Sequence, residues 1–351
     1  MTTLPPLRYL DGDAVRAAMP SIEGRLALAE RTLVALATPD GSQLPPKIGI
    51  YPRPEGAFVH AMPAHLRDLD WDAGGARSGD GAGREPGDLV GMKWVAGYAT
   101  NNDLGIPAIH GVVILNDAQT GVPTAILDGG PITAERTAAV SGVAVRRFAP
   151  RTGPEPAGKA STVALIGAGV QGRSHVPVLG HVLPGLRLRI FDPSAERARA
   201  LADHAATVAG IAGVTIEGTA RDAVEGADVV ITAASFTTPD KRQSMTNDWL
   251  SPEVLVVPID YATYCAAEVA RDAALFLVDH RDQFLANRAV GQFDDYPDPA
   301  AMLGDAIIGE TPRPPGRVVV THLGVGLADV VFADAIVRSA AARGLGIDLS
   351  R

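Results

Sequence analysis

Residues 162–172 read TVALIGAGVQG, a run of apolar and β-branched residues that passes directly into the spacing G-x-G-x-x-G at Gly167, Gly169 and Gly172. Such a run reads as a buried strand, and a strand that feeds this spacing turns sharply into a helix. Each glycine serves a different purpose. Gly167 permits the tight turn, Gly169 lets backbone approach a pyrophosphate, and Gly172 lets the helix pack close to the sheet. The N-terminus of the helix then offers unpaired N–H donors to the phosphates. A second strand is expected at Leu188–Phe191, ending at Asp192. That is about 20 residues beyond the last glycine, where a carboxylate binds both hydroxyls of a ribose. Gly167, Gly169, Val170, Gln171, Gly172 and Asp192 are therefore the expected dinucleotide contacts. A carboxylate at this place repels a 2′-phosphate, so NAD is expected over NADP. The plainer reading of Asp192 is a cap for the helix that starts near Pro193.

Outward from this motif, strand-like runs recur at Val214–Glu217, Val229–Ala233, Val254–Ile259 and Leu275–Val278, with helical stretches such as Ala195–Val208 between some of them. The alternation predicts an α/β fold, a Rossmann-type doubly wound parallel sheet. On the N-terminal side the pattern differs. A helix is expected over 13–38, then short strands at Ile48–Tyr51, Ala57–Met62, Gly91–Ala96 and Gly111–Leu115, a turn at Asp117–Gly121, and a helix over Thr133–Phe148. Residues 73–88 are Gly-rich and nearly free of apolar groups, which predicts a surface loop. The Pro/Gly-rich stretch 150–160 has linker composition, and the tail Asp329–Arg343 reads as an amphipathic helix. Two domains follow: residues 1–150, an α+β part joined by 325–351, and residues 151–324, the dinucleotide domain.

The composition narrows the function. The chain has 351 residues, 46% hydrophobic and 20% charged, with a net charge of −9. That suffices for two packed cores and disfavours polyanions, because phosphate-backbone contacts need clustered Lys and Arg and the basic pairs here, such as Arg146-Arg147, are short. No nucleic acid partner is expected. One cysteine, Cys265, excludes an internal disulfide and a cysteine-based zinc site, and it reads as a packed small hydrophobe as readily as a reactive group. The histidines show no metal spacing, so no metal is expected. No apolar run is long enough for a membrane span, and Met1–Leu10 lacks the pattern of a secretory signal, so a cytoplasmic enzyme is expected.

Three cations of the first domain lie in apolar or Gly/Pro-framed settings: Lys47 in PPKIGIYPRP, Lys93 in GMKWVAG and Arg136 in TAERTAAVSG. Buried cations need anions, and a substrate carboxylate would serve, although structural ion pairs would serve equally. The run from GMKWVAG through ILDGGPITAERTAAVSG, with MPA at Met62–Ala64, GAGVQG and GVGLAD at Gly324–Asp329, resembles the ornithine cyclodeaminase/mu-crystallin family over most of the chain. The resemblance implies a dimer-forming first domain to which the C-terminal helix returns. It also implies a domain that binds NAD(H) or NADP(H), and chemistry at the Cα–N bond of an amino or imino acid. By the same resemblance Lys93 contacts the substrate carboxylate and assists proton transfer, Arg136 clamps that carboxylate, and Asp260, after VLVVPI, faces the amine or imine. Lys47, His60 and Met62 complete the substrate set.

Two departures shape the expected substrate. Lys47, in a PPKxGIxPRP variant, replaces the arginine fork of many relatives with a point charge. His60, in HAMPA, replaces the glutamate that holds the distal ammonium of ornithine, and histidine supplies no fixed negative charge near neutrality. His60 reads equally as a pocket residue or as a hydrogen-bonded strand residue. The stretch IDYATYCAAEV also departs from the family's Gly-rich pattern beside Asp260, and Trp94 reads as core. The expected function is an NAD-dependent amino-acid dehydrogenase or imine reductase, forming a homodimer and acting on a small amino, imino or 2-oxo acid. A redox-neutral cyclodeaminase is the alternative within the family, and a non-catalytic nucleotide-dependent binding protein like mu-crystallin the alternative outside catalysis.

Overall fold

A computed structural model describes residues 4–67, 87–150, 161–235 and 237–351. Contacts divide the chain into two compact units, Met1–Arg136 with Val325–Arg351, and Thr137–Gly324. In chain order the strands and helices are β1 (Leu7–Leu10), α1 (Gly12–Ala18), α2 (Ile22–Ala37), β2 (Ser42–Gln43), β3 (Ile48–Ile50), β4 (Phe58–Leu66), β5 (Leu89–Gly97), β6 (Ile109–Asn116), β7 (Pro123–Asp128) and α3 (Gly129–Phe148). Then follow β8 (Thr162–Ile166), α4 (Val170–Val182), β9 (Leu186–Phe191), α5 (Ala195–Ala206), β10 (Ile211–Ile216), α6 (Ala220–Val224), β11 (Val229–Thr232) and β12 (Leu255–Pro258). The remainder is α7 (Ala267–Arg271), β13 (Leu275–Val278), α8 (Arg281–Ala289), β14 (Ala301–Met302), α9 (Leu303–Ile308), β15 (Val318–Thr321), α10 (Gly326–Ala342) and β16 (Ile347–Leu349). The expected loop at 73–88 lies almost wholly outside the described residues, and so does the expected linker at 150–160 apart from its first residue.

The second unit is the parallel sheet expected from the sequence, in the order β10-β9-β8-β11-β12-β15-β13-β14. The chain leaves β8 toward β9 and β10 on one side and later returns to β11 and β12 on the other. The strand order therefore reverses beside β8, and ligands of open α/β sheets bind outside the carboxyl ends at such a reversal. Strands β8, β11, β12 and β15 are buried at every residue, as strands covered on both faces must be. Strand β15, in RVVVTHLG, was not separated from its surroundings by sequence pattern.

The first unit is a mixed sheet, β16-β1-β7-β6-β5-β4-β2, with β3 paired to β4. Helix α10 packs on β4, β5 and β6. Gly326 at its start lies so close to β4 that an added Cβ would stand 2.4 Å from the Met62 carbonyl oxygen. The single helix expected over 13–38 is two helices. Pro20 biases Met19 to extended backbone (ψ 133°), and Ser21 opens α2 by accepting from the Gly24 N–H. Nor is the tail helix amphipathic as expected: residues 326–334 of α10 are all buried, so its N-terminal half is core on every side. The contact division falls within α3 because the C-terminal half of that helix, which carries Ser141, is tied into the second unit.

Candidate functional site

In the second unit the glycines do what their spacing demands. Gly167 has φ +107°, and an added Cβ would lie 2.5 Å from the Ala233 carbonyl oxygen. At Gly172 a Cβ would lie 2.1 Å from the Gly167 carbonyl oxygen, while at Gly169 nothing stands within 4 Å, which leaves open space over the loop. Helix α4 begins at Gly169 without a side-chain cap, so no side chain competes for its first N–H groups. Val170 is 66% exposed, and Gln171 Oε1 is buried without a hydrogen-bond partner among the described residues. An open cradle, an uncapped helix start, an exposed valine and an orphaned amide oxygen together fit a dinucleotide.

Asp192, just past β9, ties this loop to the next helix. Its Oδ2 accepts from the Ala168 N–H at 2.8 Å, and its Oδ1 accepts from the Ser194 N–H at 2.8 Å and from Arg197 at 2.8 and 3.2 Å. Asp260 follows β12 at the carboxyl edge of the same sheet and is 2% exposed. It accepts from the Thr232 hydroxyl at 2.7 Å and the Ala234 N–H at 3.3 Å, yet burial pushes its carboxyl up to about 7. The next residue, Tyr261, has φ +58°, a rare conformation for an aromatic side chain. Asp260 is thus held in a tight turn, out of water, near the midpoint of its titration at neutral pH.

A buried polar chain in this unit escaped sequence reasoning. His175 Nδ1 lies 2.6 Å from the Gln171 carbonyl, and His175 Nε2 and His322 Nε2 each lie 2.8 Å from Ser141 Oγ. Burial lowers His175 to about 4, so the ring is neutral. A carbonyl only accepts, so Nδ1 carries the proton, Nε2 accepts from the Ser141 hydroxyl, and Ser141 accepts from His322 Nε2–H. The chain fixes the first turn of α4 to the end of β15. Its members lie far apart in sequence, and no spacing announces them.

In the first unit the register of the sheet assembles the expected substrate residues. Met62 pairs with Lys93 across β4 and β5, which sets both on the face covered by α10, and His60 shares that face two residues away. Lys93 is 2% exposed, Arg136 on α3 is 6% exposed, and Asp329 on α10 is fully buried. Asp329 takes both cations: Lys93 Nζ at 2.7 Å and Arg136 Nε at 3.3 Å. Lys93 also donates to Thr133 Oγ1 at 3.3 Å. Burial pulls Lys93 down to about 7 against the pull of Asp329, and Arg136 and Lys47 lower it further. His60 is half-buried, stacked on Phe58 with ring centroids 4.6 Å apart. Burial first, then the charges of Lys47 and Lys93, lower it to about 4, so it is neutral near pH 7. Trp94, expected as core, is 43% exposed on the opposite face. Among the described residues no cluster of potential metal ligands occurs, and no helix is long and apolar enough to cross a membrane.

The profile of the ornithine cyclodeaminase/mu-crystallin family matches residues 82–344. The chain belongs to this family. A nodulation efficiency protein NfeD of Rhizobium meliloti is 32% identical over 312 residues, 87% of each chain. The ketimine reductase mu-crystallin of Mus musculus is 29% identical over 251 residues, 70% of this chain and 74% of that one. The Δ1-pyrroline-2-carboxylate reductase of Thermococcus litoralis, solved with NADH and L-proline, shares the fold with a TM-score of 0.79 at 21% identity, covering 98% of this chain and 100% of that one. Within this family member, Asp329 is the residue whose part in the site sequence reasoning passed over. It stood in the quoted GVGLAD motif without a role. The available signal was an acid in the first turn of a helix whose first eight residues, 326–333, are otherwise apolar or glycine.

Proposed function

We propose that this chain is a nicotinamide-dependent oxidoreductase acting on the Cα–N bond of a small amino or imino acid, an imine reductase or amino-acid dehydrogenase. One observation carries the substrate class. Lys93 and Arg136 share a single buried carboxylate, Asp329, so this cluster sets two basic side chains against one acid out of water. Holding that charge out of water is costly: burial first, and repulsion from Arg136 after it, favour loss of the Lys93 proton. A substrate carboxylate entering beside Lys93 and Arg136 restores the balance, with the arginine fork orienting it and Lys47 adding attraction. One relative is named a ketimine reductase, and the Δ1-pyrroline-2-carboxylate reductase named above was solved with L-proline, which supports this reading.

When bound, the nicotinamide ring supplies or accepts the hydride at the substrate Cα. Gly167, Gly169, Val170, Gln171 and Gly172 hold the dinucleotide through open backbone, and Asp192, bonded to Arg197, lies where the ribose is bound and bears on the choice between NAD and NADP. Asp260, close to half-protonated at neutrality, gives or takes the proton at the substrate nitrogen, and Lys93 shares the proton handling. His60 and Met62 line the substrate side of the sheet. A neutral His60 supplies no counter-charge for a second ammonium, which argues against ornithine and so against the cyclodeaminase reading. The relevant test measures NADH consumption against cyclic imines and against 2-oxo acids with ammonia or methylamine, with L-ornithine run in parallel. Net NADH oxidation that vanishes in Asp260→Ala supports the reading. Ammonia release from ornithine without net NADH change contradicts it.

The homodimer belongs to the same proposal. Ile48 pairs with Ala61 and Ala61 with Trp94, and Trp94 with Val112, so these side chains share the sheet face opposite α10. On that face Ile48 is 62%, Ile50 58% and Trp94 43% exposed. A continuous apolar face of this size favours burial against a second copy. A cytoplasmic location belongs to the same proposal, on the single cysteine in the sequence, Cys265.

A further inference from the structure

Asp192, the carboxylate expected to choose NAD, is not free to do so alone. Its side chain is only 6% exposed, whereas that of its partner Arg197 is 57% exposed. The outward group at this corner is the guanidinium. Hydrogen-bond capacity makes the point sharper, since a carboxylate oxygen offers about two acceptor positions. Oδ1 is filled by the Ser194 N–H and Arg197, and Oδ2 already accepts from the Ala168 N–H. About one position remains, whereas the ribose of NAD presents two hydroxyl donors. For NAD to take both, Arg197 must release Asp192. It is half-exposed and can move into solvent easily. Once released, the guanidinium stands at the ribose edge, where a 2′-phosphate would sit. With NADP the carboxylate instead keeps its two backbone N–H donors, and Arg197 pairs with the phosphate through its planar fork.

We propose that Arg197 is the residue that sets dinucleotide choice, by screening Asp192 and receiving a 2′-phosphate, so that the chain takes NADPH as well as NADH. The proposal rests on the dinucleotide reading of the Gly167–Gly172 loop and narrows it. Equilibrium titration of nicotinamide fluorescence, with NADH and NADPH on the full chain, tests it without turnover. The wild type is expected to bind the two within about tenfold of each other. Arg197→Ala is expected to shift the ratio of NADPH to NADH dissociation constants by about tenfold or more toward NADH, because the phosphate then meets an unscreened carboxylate. Arg197→Lys is expected to recover part of that shift. A wild type that discriminates against NADPH by more than about a hundredfold, or a ratio unmoved in Arg197→Ala while both dinucleotides still bind, overturns the proposal alone. Binding of neither dinucleotide to the wild type overturns the dinucleotide reading as well.

Discussion

The two units carry their functional groups in opposite ways. In the second, the proposed recognition rests on backbone: glycines that leave open space or forbid a side chain, and a helix start left uncapped. In the first it is written into charge, with Lys93, Arg136 and Asp329 gathered out of water by strand register and by the C-terminal helix. A backbone site fails by steric contact, abruptly and whatever the pH. A charge site fails by imbalance, gradually and in step with protonation.

The largest effect is expected where backbone leaves no room. Gly172→Ala drives a Cβ against the Gly167 carbonyl and should weaken NADH binding by more than about a hundredfold in a fluorescence titration. Removing the proposed proton carrier comes next: Asp260→Asn should lower kcat by about a hundredfold or more in steady-state assays, with NADH affinity retained. If the Gly172 variant binds normally, or the Asp260 variant turns over normally, the division between backbone recognition and charge chemistry collapses.

Smaller effects follow from burying charge. Asp329→Asn leaves two buried cations without their carboxylate and should destabilise the protein by about 3 kcal/mol, read by urea unfolding. The pH dependence of stability has two opposed limbs. The Asp260 pKa is raised from 3.8 to about 7, so its contribution is whole below about pH 4 and is lost as pH rises through about 7. The Lys93 pKa is lowered from 10.5 to about 7, so its contribution is whole above about pH 10.5 and is lost as pH falls through about 7. Asp260 costs the fold most above about pH 7 and Lys93 most below it, so their summed cost peaks near neutrality. Asp260→Asn should therefore melt higher than the wild type near pH 8, and the difference should vanish near pH 4. Equal melting differences at both pH values would mean that Asp260 is not held above its ordinary range.

This contrast also explains how much was legible in the sequence. The glycine loop could be read because its demands are local: G-x-G-x-x-G after an apolar run dictates turn, helix and phosphate cradle together. The parallel sheet could be read from alternation, apart from the two-residue β14 and from β15, whose short valine run between Pro315-Gly316 and Gly324 was passed over. The helix break at Met19–Ser21 needed only the proline rule and was overlooked because the apolar period runs through it. Lys93, Arg136 and Asp260 were recoverable through family resemblance, not through spacing. Asp329 carried a signal, an acid in the first apolar turn of the C-terminal helix, but Ser141, His175 and His322 were not recoverable either way, because what joins them is packing across large separations in sequence. The burial of α10 was missed for a related reason, since a helix surrounded by its own unit needs no polar face.

The buried pair of cations around Asp329, Lys93 and Arg136, is proposed to take the substrate's carboxylate. The most direct measurement compares NADH oxidation with a cyclic imine carboxylate and with the same ring lacking the carboxylate, in the wild type and in Arg136→Ala. A fall in kcat/KM of about a hundredfold or more on removing the carboxylate in the wild type, shrinking to a few-fold in Arg136→Ala, is the predicted result. Equal turnover of the two rings by the wild type would contradict the account.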